Sequence, residues 1–378
     1  MFNRKLWRNL DYVLVATVLA ILSISLLVLD SAAASITSRP DYYVKKQMMV
    51  IALGLIGILA ALAIDYQQLK RYRLPLYVFN LLLLASVFVI GSEAKGAQRW
   101  IDLGFFQFQP SEFSKLMVII TLASLLDGRQ GKLNRLRDLL VPFLHVAGPM
   151  LLVLKQPDLG TALVFVAILG GMLYVAGVNS RLFFALVGGV ALATGLALYA
   201  HFNWGMPLPL EEYQLKRLVV MLDPYNDGEG GRGAGYHIIQ SQVAIGSGGL
   251  WGKGLHQGSQ VQLNFLPEHH TDFIFSVVGE ELGFFRTLGV LALYFLLLYR
   301  MIRIANQAKD FFGALLVTGV CCMFTFHVLV NVGMTIGIMP VTGIPLPLFS
   351  YGGSSMLTNL LALGIVINVN LRRQKILF

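Results

Sequence analysis

Three acidic side chains stand in one largely apolar stretch, LPEHHTDFIFSVVGEELGFF at 266–285: Asp272, Glu280 and Glu281. Carboxylates are costly at membrane depth, so each needs a reason to be there. Asp272, at the first turn, suits a structural cap, an ion relay or a general base. A helix started at Asp272 turns by ~100° per residue, which puts Ser276, Gly279 and Gly283 within about 40° of it. Glu280 then lies about 80° away and Glu281 about 180° away. The Asp272 face is small and polar, Glu280 is placed to share its cavity, and Glu281 needs a partner elsewhere. Arg286 falls back on the Asp272 side, within about 40°. His269 and His270 are neighbours that point apart, which argues against a two-histidine metal site.

Further constellations lie upstream and downstream. In QPSEFSKL (109–116), Pro110 and Ser111 open a helix, with Ser111 a candidate N-cap. Glu112 and Lys115 are three residues apart and share a helical face. They form either a self-neutralising packing pair or an anion site in which Glu112 positions Lys115. In KQPDLGTAL (155–163), Pro157 breaks one helix and Asp158 can cap the next, or meet Lys115 across the bundle. In SEAKGAQRWIDLG (92–104), Lys95, Arg99 and Trp100 suit an interfacial anchor, or stacking on a sugar face with a phosphate nearby. GIPLPLFSYGGSS (343–355) reads as a tightly packed helix entry.

The elements that must position these residues are membrane helices. The chain has 378 residues, 56% hydrophobic and only 13% charged, where a soluble domain is about a quarter charged. Ten apolar spans are expected near 12–29, 47–64, 75–91, 111–126, 139–154, 160–177, 182–200, 273–299, 311–334 and 350–369. The architecture expected is an all-α, polytopic helix bundle forming a single integral membrane domain. With the N-terminus inside, the cytoplasmic segments hold 17 of the 29 Lys and Arg residues, so both termini are expected on the cytoplasmic side. The first span is too long for a signal h-region and reads as uncleaved. A long extracytoplasmic loop, about 201–272, joins spans seven and eight, and HIIQSQVAI within it reads as a short amphipathic or re-entrant helix.

Several function classes drop out. The net charge of +9 fits anionic membranes or phosphate-bearing substrates, and no basic run interleaved with aromatics points to nucleic acid. Cys321 and Cys322 are adjacent in an apolar stretch and read as core. GEGGRG (228–233) has no preceding strand, and SGGLWGKG (247–254) fails the P-loop pattern at both ends. Both glycine runs read as tight backbone, with a diphosphate held on backbone N–H groups as the functional alternative.

The chain resembles the SEDS family of membrane cell-wall polymerases almost from end to end. The resemblance rests on KGAQRW (95–100), QPSEFSKL, QPDLGTAL (156–163), LDP (222–224), GYHIIQSQVAIGSGGLWGKG (235–254), FLPEHHTDFIF (265–275), GEELGF (279–284) and GIMPVTGIPLPLFSYGGSS (337–355), in that order. LDP followed by GYHIIQS, then GKG and FLPE, leans towards the elongation member over the division member. The resemblance implies a ten-helix glycosyltransferase of the bacterial cytoplasmic (inner) membrane. It implies polymerisation of lipid II into glycan strands on the outer face, with release of undecaprenyl diphosphate. It also implies a class B penicillin-binding protein and other elongation-machinery membrane proteins as partners. It makes Asp272 the key aspartate and gives weight to Glu112, Lys115, Asp158 and Trp100. The insert NDGEGGRGAG (226–235) is longer than the family's usual spacing.

Inverting transfer of this kind needs a base for the acceptor 4-hydroxyl, and Asp272 at the outer end of a span is placed for it. The departing diphosphate needs cations: Lys115, Arg217 or Arg99, or a divalent ion, Mg²⁺ or Mn²⁺. Lys95 and Trp100 complete the expected substrate contacts, and Glu280 the expected polar network. The alternative from another class is a flippase for the same lipid-linked precursor, using buried charges as relays.

Overall fold

The computed structural model describes residues 9–36, 41–94, 97–102, 104, 107–208, 211–233 and 235–373. Each expected span is one helix: α1 (Tyr12–Ala34), α2 (Asp41–Ala63), α3 (Arg73–Ile90), α4 (Pro110–Asp127), α5 (Leu136–Lys155), α6 (Leu159–Val175) and α7 (Ser180–Trp204). Two shorter helices, α8 (Glu212–Leu222) and α9 (Tyr236–Ser247), lie in the long loop, followed by α10 (Ile274–Asn306), α11 (Phe311–Thr335) and α12 (Gly353–Leu371). Among the described residues, eight helical segments are long and apolar enough to cross a bilayer. The other two spans are α4, which carries Glu112, Lys115 and Asp127, and the shorter, 17-residue α6. α4 is buried along most of its length, whereas α6 packs against the bundle and still exposes Leu163, Val166 and Tyr174. The chain is a multi-pass membrane protein. An even number of spans brings the two ends together: Asn9 Nδ2 donates to Leu371 O at 3.1 Å and Asn370 Nδ2 to Asn9 O at 2.9 Å.

Burial grades the helices from centre to rim. The most apolar window of α12 is 89% buried and that of α7 0%, so α12 is central and α7 peripheral. Gly54 of α2 lets that helix close on α12, because a methyl group there would overlap Leu360.

The outer connections depart from a purely helical picture. Strands β1 (Ser92–Ala94), β2 (Ala97–Asp102) and β3 (Gln107–Phe108) pair antiparallel in that order. The connection from α3 to α4 thereby satisfies its backbone groups without a helix. The amphipathic segment expected at 237–245 is α9, bonded to the bundle through Ser241 Oγ, which lies 2.6 Å from Ser276 Oγ and donates to Thr335 O.

α10 does not run as the sequence suggests. It starts at Ile274, so Asp272 lies in a turn before it, and Gly283 (φ 77°) breaks it one-third of the way along. The glycine-rich loop fills the break: Lys253 N donates to Glu280 O at 3.1 Å, Gly254 N to Glu281 O at 3.0 Å, and Phe284 N to Gly249 O at 2.9 Å. The N–H groups of Lys253 and Gly254 in SGGLWGKG thus serve α10, not a ligand. In the other glycine run, Asp227 takes the N–H groups of Glu229, Gly231, Gly233 and Gly235 at 2.8–3.1 Å. These backbone bonds, Gly231 first, pull its carboxyl down to about 2. The insert at 226–235 therefore folds around its own carboxylate.

Candidate functional site

The N-terminal ends of α4, α6 and α12 and the turn before α10 meet around a cavity of about 650 Å³. Pro110 sits at the first position of α4, after Gln109 as N-cap, so Ser111 is inside the helix and not its cap. Glu112 and Lys115 follow, 4% and 1% exposed, and both line the cavity. Lys115 Nζ lies 2.7 Å from Glu112 Oε1 and 3.2 Å from His327 Nε2 on α11. An ammonium only donates, so the imidazole nitrogen accepts. Two of the three ammonium N–H groups are committed and one is left for the cavity.

Asp158 is the N-cap of α6, accepting from Thr161 N at 3.1 Å and Thr161 Oγ1 at 2.9 Å. Its link to α4 runs through Ser111 Oγ and Gln109 Nε2, each at 3.4 Å, and no ion pair joins it to Lys115 among the described residues. Arg99, on β2, donates from Nε to Gln156 O at 2.9 Å and from Nη2 to Pro157 O. This latches the sheet to the α5–α6 turn and holds Arg99 and the half-buried Trp100 at the cavity wall.

Arg217 reaches the cavity from α8, its guanidinium 5.5 Å over the Tyr213 ring. Burial pulls Arg217 below the usual arginine value; Tyr213 opposes this, Arg99 adds to it, and Asp272 and Asp158 oppose it. The guanidinium therefore shares its field with both aspartates.

The carboxylate of Asp272 faces the same space. Its backbone carbonyl accepts from Asn331 Nδ2 of α11 at 2.9 Å, and the same amide donates to Ile344 O at 2.8 Å. Gly343 (φ +73°) brings bare backbone beside the acid: a Cβ there would stand 3.4 Å from Asp272 Oδ2. The GIPLPLFSYGGSS loop thus packs as expected and also forms a cavity wall, through Gly343, Tyr351 and Ser354 among others.

Seven of the residues singled out from sequence share this cavity: Trp100, Arg99, Glu112, Lys115, Asp158, Arg217 and Asp272. Lys95 lies outside the described residues. Glu280 does not reach the cavity. It is wholly buried and bonded to Lys253 Nζ at 2.7 Å and Gln260 N at 3.0 Å, under the outer loop. The expectation of a shared face assumed a helix running from Asp272, and that helix begins two residues later. Glu281 finds a separate partner, Ser31 Oγ at 2.6 Å. Sequence reasoning missed Lys46, Glu268, His327 and Asn331. Their one signal was a polar side chain within or beside an apolar segment. Lys46 and Glu268 complete a balanced lining of four cations and four carboxylates.

Residues 9–375 match the FtsW/RodA/SpoVE family, described as cell cycle protein. The chain belongs to this family. Among relatives of this FtsW/RodA/SpoVE chain, the peptidoglycan glycosyltransferase MrdB of Escherichia coli is 39% identical over 97% of this chain and 95% of that protein. A probable peptidoglycan glycosyltransferase FtsW of Trichlorobacter lovleyi is also 39% identical, over 95% of this chain and 93% of that one. A solved chain from a peptidoglycan synthase complex, described for its coordination of polymerisation and crosslinking, superposes with a TM-score of 0.79 at 36% identity. That match covers 96% of this chain and 98% of the solved one. These levels of coverage extend the likeness in fold over nearly the whole chain.

Proposed function

We infer that this chain is a peptidoglycan glycosyltransferase of the bacterial cytoplasmic membrane that polymerises lipid II into glycan strands at the outer face. The observation that carries the reading is one cavity holding Asp272 together with Lys115, Arg99 and Arg217. A carboxylate and a cluster of fixed cations are what a sugar acceptor and a diphosphate leaving group require. The names of the relatives support the reaction class.

Asp272 takes the proton of the acceptor 4-hydroxyl as that oxygen attacks the donor's anomeric carbon. The new glycosidic bond forms on the face opposite the diphosphate, whose C–O bond breaks with inversion, and undecaprenyl diphosphate departs with its charge met by Lys115, Arg99 and Arg217. The N-terminal ends of α4, α6 and α12 add positive potential to the same space. Trp100 offers a flat face to a sugar ring. Glu112 fixes the orientation of Lys115, and Asp158 holds the start of α6 against Ser111.

Among the described residues, no three His, Cys, Asp or Glu side chains cluster as a resident metal site. A divalent ion that takes part enters as a counter-ion of the diphosphate, a common mode for Mg²⁺.

The motif order favours a role in cell elongation. The likeness to a synthase chain that coordinates polymerisation with crosslinking supports a class B penicillin-binding protein as partner. The test is lipid II polymerisation by the purified chain, with and without such a partner and with and without divalent ions. Glycan strands from wild type, and none from folded Asp272→Asn or Asp272→Ala, are expected. Polymer from either variant removes Asp272 as the base, and lipid II translocation without polymer would turn the reading to a flippase.

A further inference from the structure

The turn that carries Asp272 is tied down on its other side by His269, which is 3% exposed. Its Nδ1 lies 2.6 Å from Leu266 O, and its Nε2 lies 3.0 Å from Ala32 O and 3.1 Å from Ser35 Oγ. A carbonyl oxygen only accepts, so each ring nitrogen that faces one has to donate. A neutral imidazole has a single N–H, and only the imidazolium has two. Ala32 lies in the last turn of α1, where carbonyl oxygens lack helical partners and the helix dipole favours a cation. Both the donor count and the place in the fold therefore call for a protonated ring.

What the clamp holds is strained. Glu268, directly before His269, has φ 50°, in the left-handed region that non-glycine residues seldom adopt. Its carbonyl closes the turn by accepting from Thr271 N and Asp272 N, both at 3.2 Å. Three further bonds draw the preceding loop onto α1: Asn264 Nδ2 to Ser35 O at 2.8 Å, Gln262 Nε2 to Ser31 O at 3.2 Å, and His256 N to Ser31 Oγ at 2.8 Å. His269 is the member of this set next to Asp272 in the chain. The titratable groups on the surrounding elements are Asp30 on α1 with its partner His256, Glu281 on α10 bonded to Ser31, Tyr43 and Lys46 on α2, and Glu268, His270 and Asp272 on the turn itself.

We propose that His269 is a positioning residue that works as its imidazolium, clamping the Asp272 turn to the C-terminal end of α1 through both ring nitrogens. The proposal rests on the reading of Asp272 as the base.

The test uses the full chain in nanodiscs. Ring ¹⁵N spectra of histidine-labelled protein, assigned by comparison with His269→Arg, are expected to show both His269 nitrogens protonated where polymerisation is fastest. His269→Arg, a permanent cation with several donors, is expected to keep kcat. His269→Gln is expected to lower kcat roughly ten-fold, with little change in KM, as one buried hydrogen bond is lost next to the base. Melting curves establish that the variants are folded; if His269→Gln is not, His269→Arg and the wild-type spectra decide. A neutral ring where polymerisation is fastest, or a His269→Arg kcat as low as that of folded His269→Gln, overturns the proposal. Polymer from Asp272→Asn would instead overturn the base assignment and leave the ring spectra unchanged.

Discussion

Asn331 reaches from α11 to the backbone of Asp272: its Nδ2 donates to the Asp272 carbonyl at 2.9 Å and to the Ile344 carbonyl at 2.8 Å. One buried amide thereby fixes the acid's turn against the loop that forms the facing wall. Asn331→Leu leaves two buried carbonyls without a donor, each costing about 1–3 kcal/mol. The expected outcome is a lower melting temperature and a larger fall in kcat than in lipid II affinity. An unchanged kcat in folded Asn331→Leu would mean that the amide is structural only.

Glu112 and Lys115 are buried together, with side chains 5% and 2% exposed. Removing one partner strands the other charge, at a typical cost of about 3–5 kcal/mol. Glu112→Ala and Lys115→Ala should each melt lower than the double variant. All three should fail to polymerise lipid II, because the pair also lines the cavity. Polymerisation restored in the double variant would reduce the pair to packing.

Glu280 distinguishes the acid network under the loop from the one in the cavity. Glu280→Gln should destabilise the protein by loosening Lys253 and the 247–260 loop, and leave lipid II binding in place. A binding defect without a stability defect would return Glu280 to the substrate site.

Asp227 closes the 226–235 insert through four backbone N–H groups. These bonds hold its carboxyl down at about 2, below the ordinary carboxylate value of 3.8. The closed loop is therefore fully favoured above about pH 4 and weakens only as pH falls towards 2. Asp227→Ala should speed hydrogen exchange at Gly231, Gly233 and Gly235 at neutral pH while polymerisation is retained. Unchanged exchange would show that other contacts hold the loop.

The sequence by itself determined the ten spans, because apolar length and the 3.6-residue turn are local properties. The cap at Asp158 and the Glu112–Lys115 pair were each legible as one of two readings, because their partners lie within three residues. Tertiary structure decided the rest. Asp272 left its helix because the turn is closed by Glu268 O and held by Asn331, 59 residues on. Glu280 faces away from the cavity because α10 starts two residues after Asp272, and Lys253 and Gln260 of the outer loop take its carboxylate. The contact of His327 with Lys115 spans 212 residues, and that of His269 with Ala32 spans 237. Such partners carry no mark in a linear pattern. They are chosen only when helix packing brings a buried donor to an acceptor that must not be left unpaired.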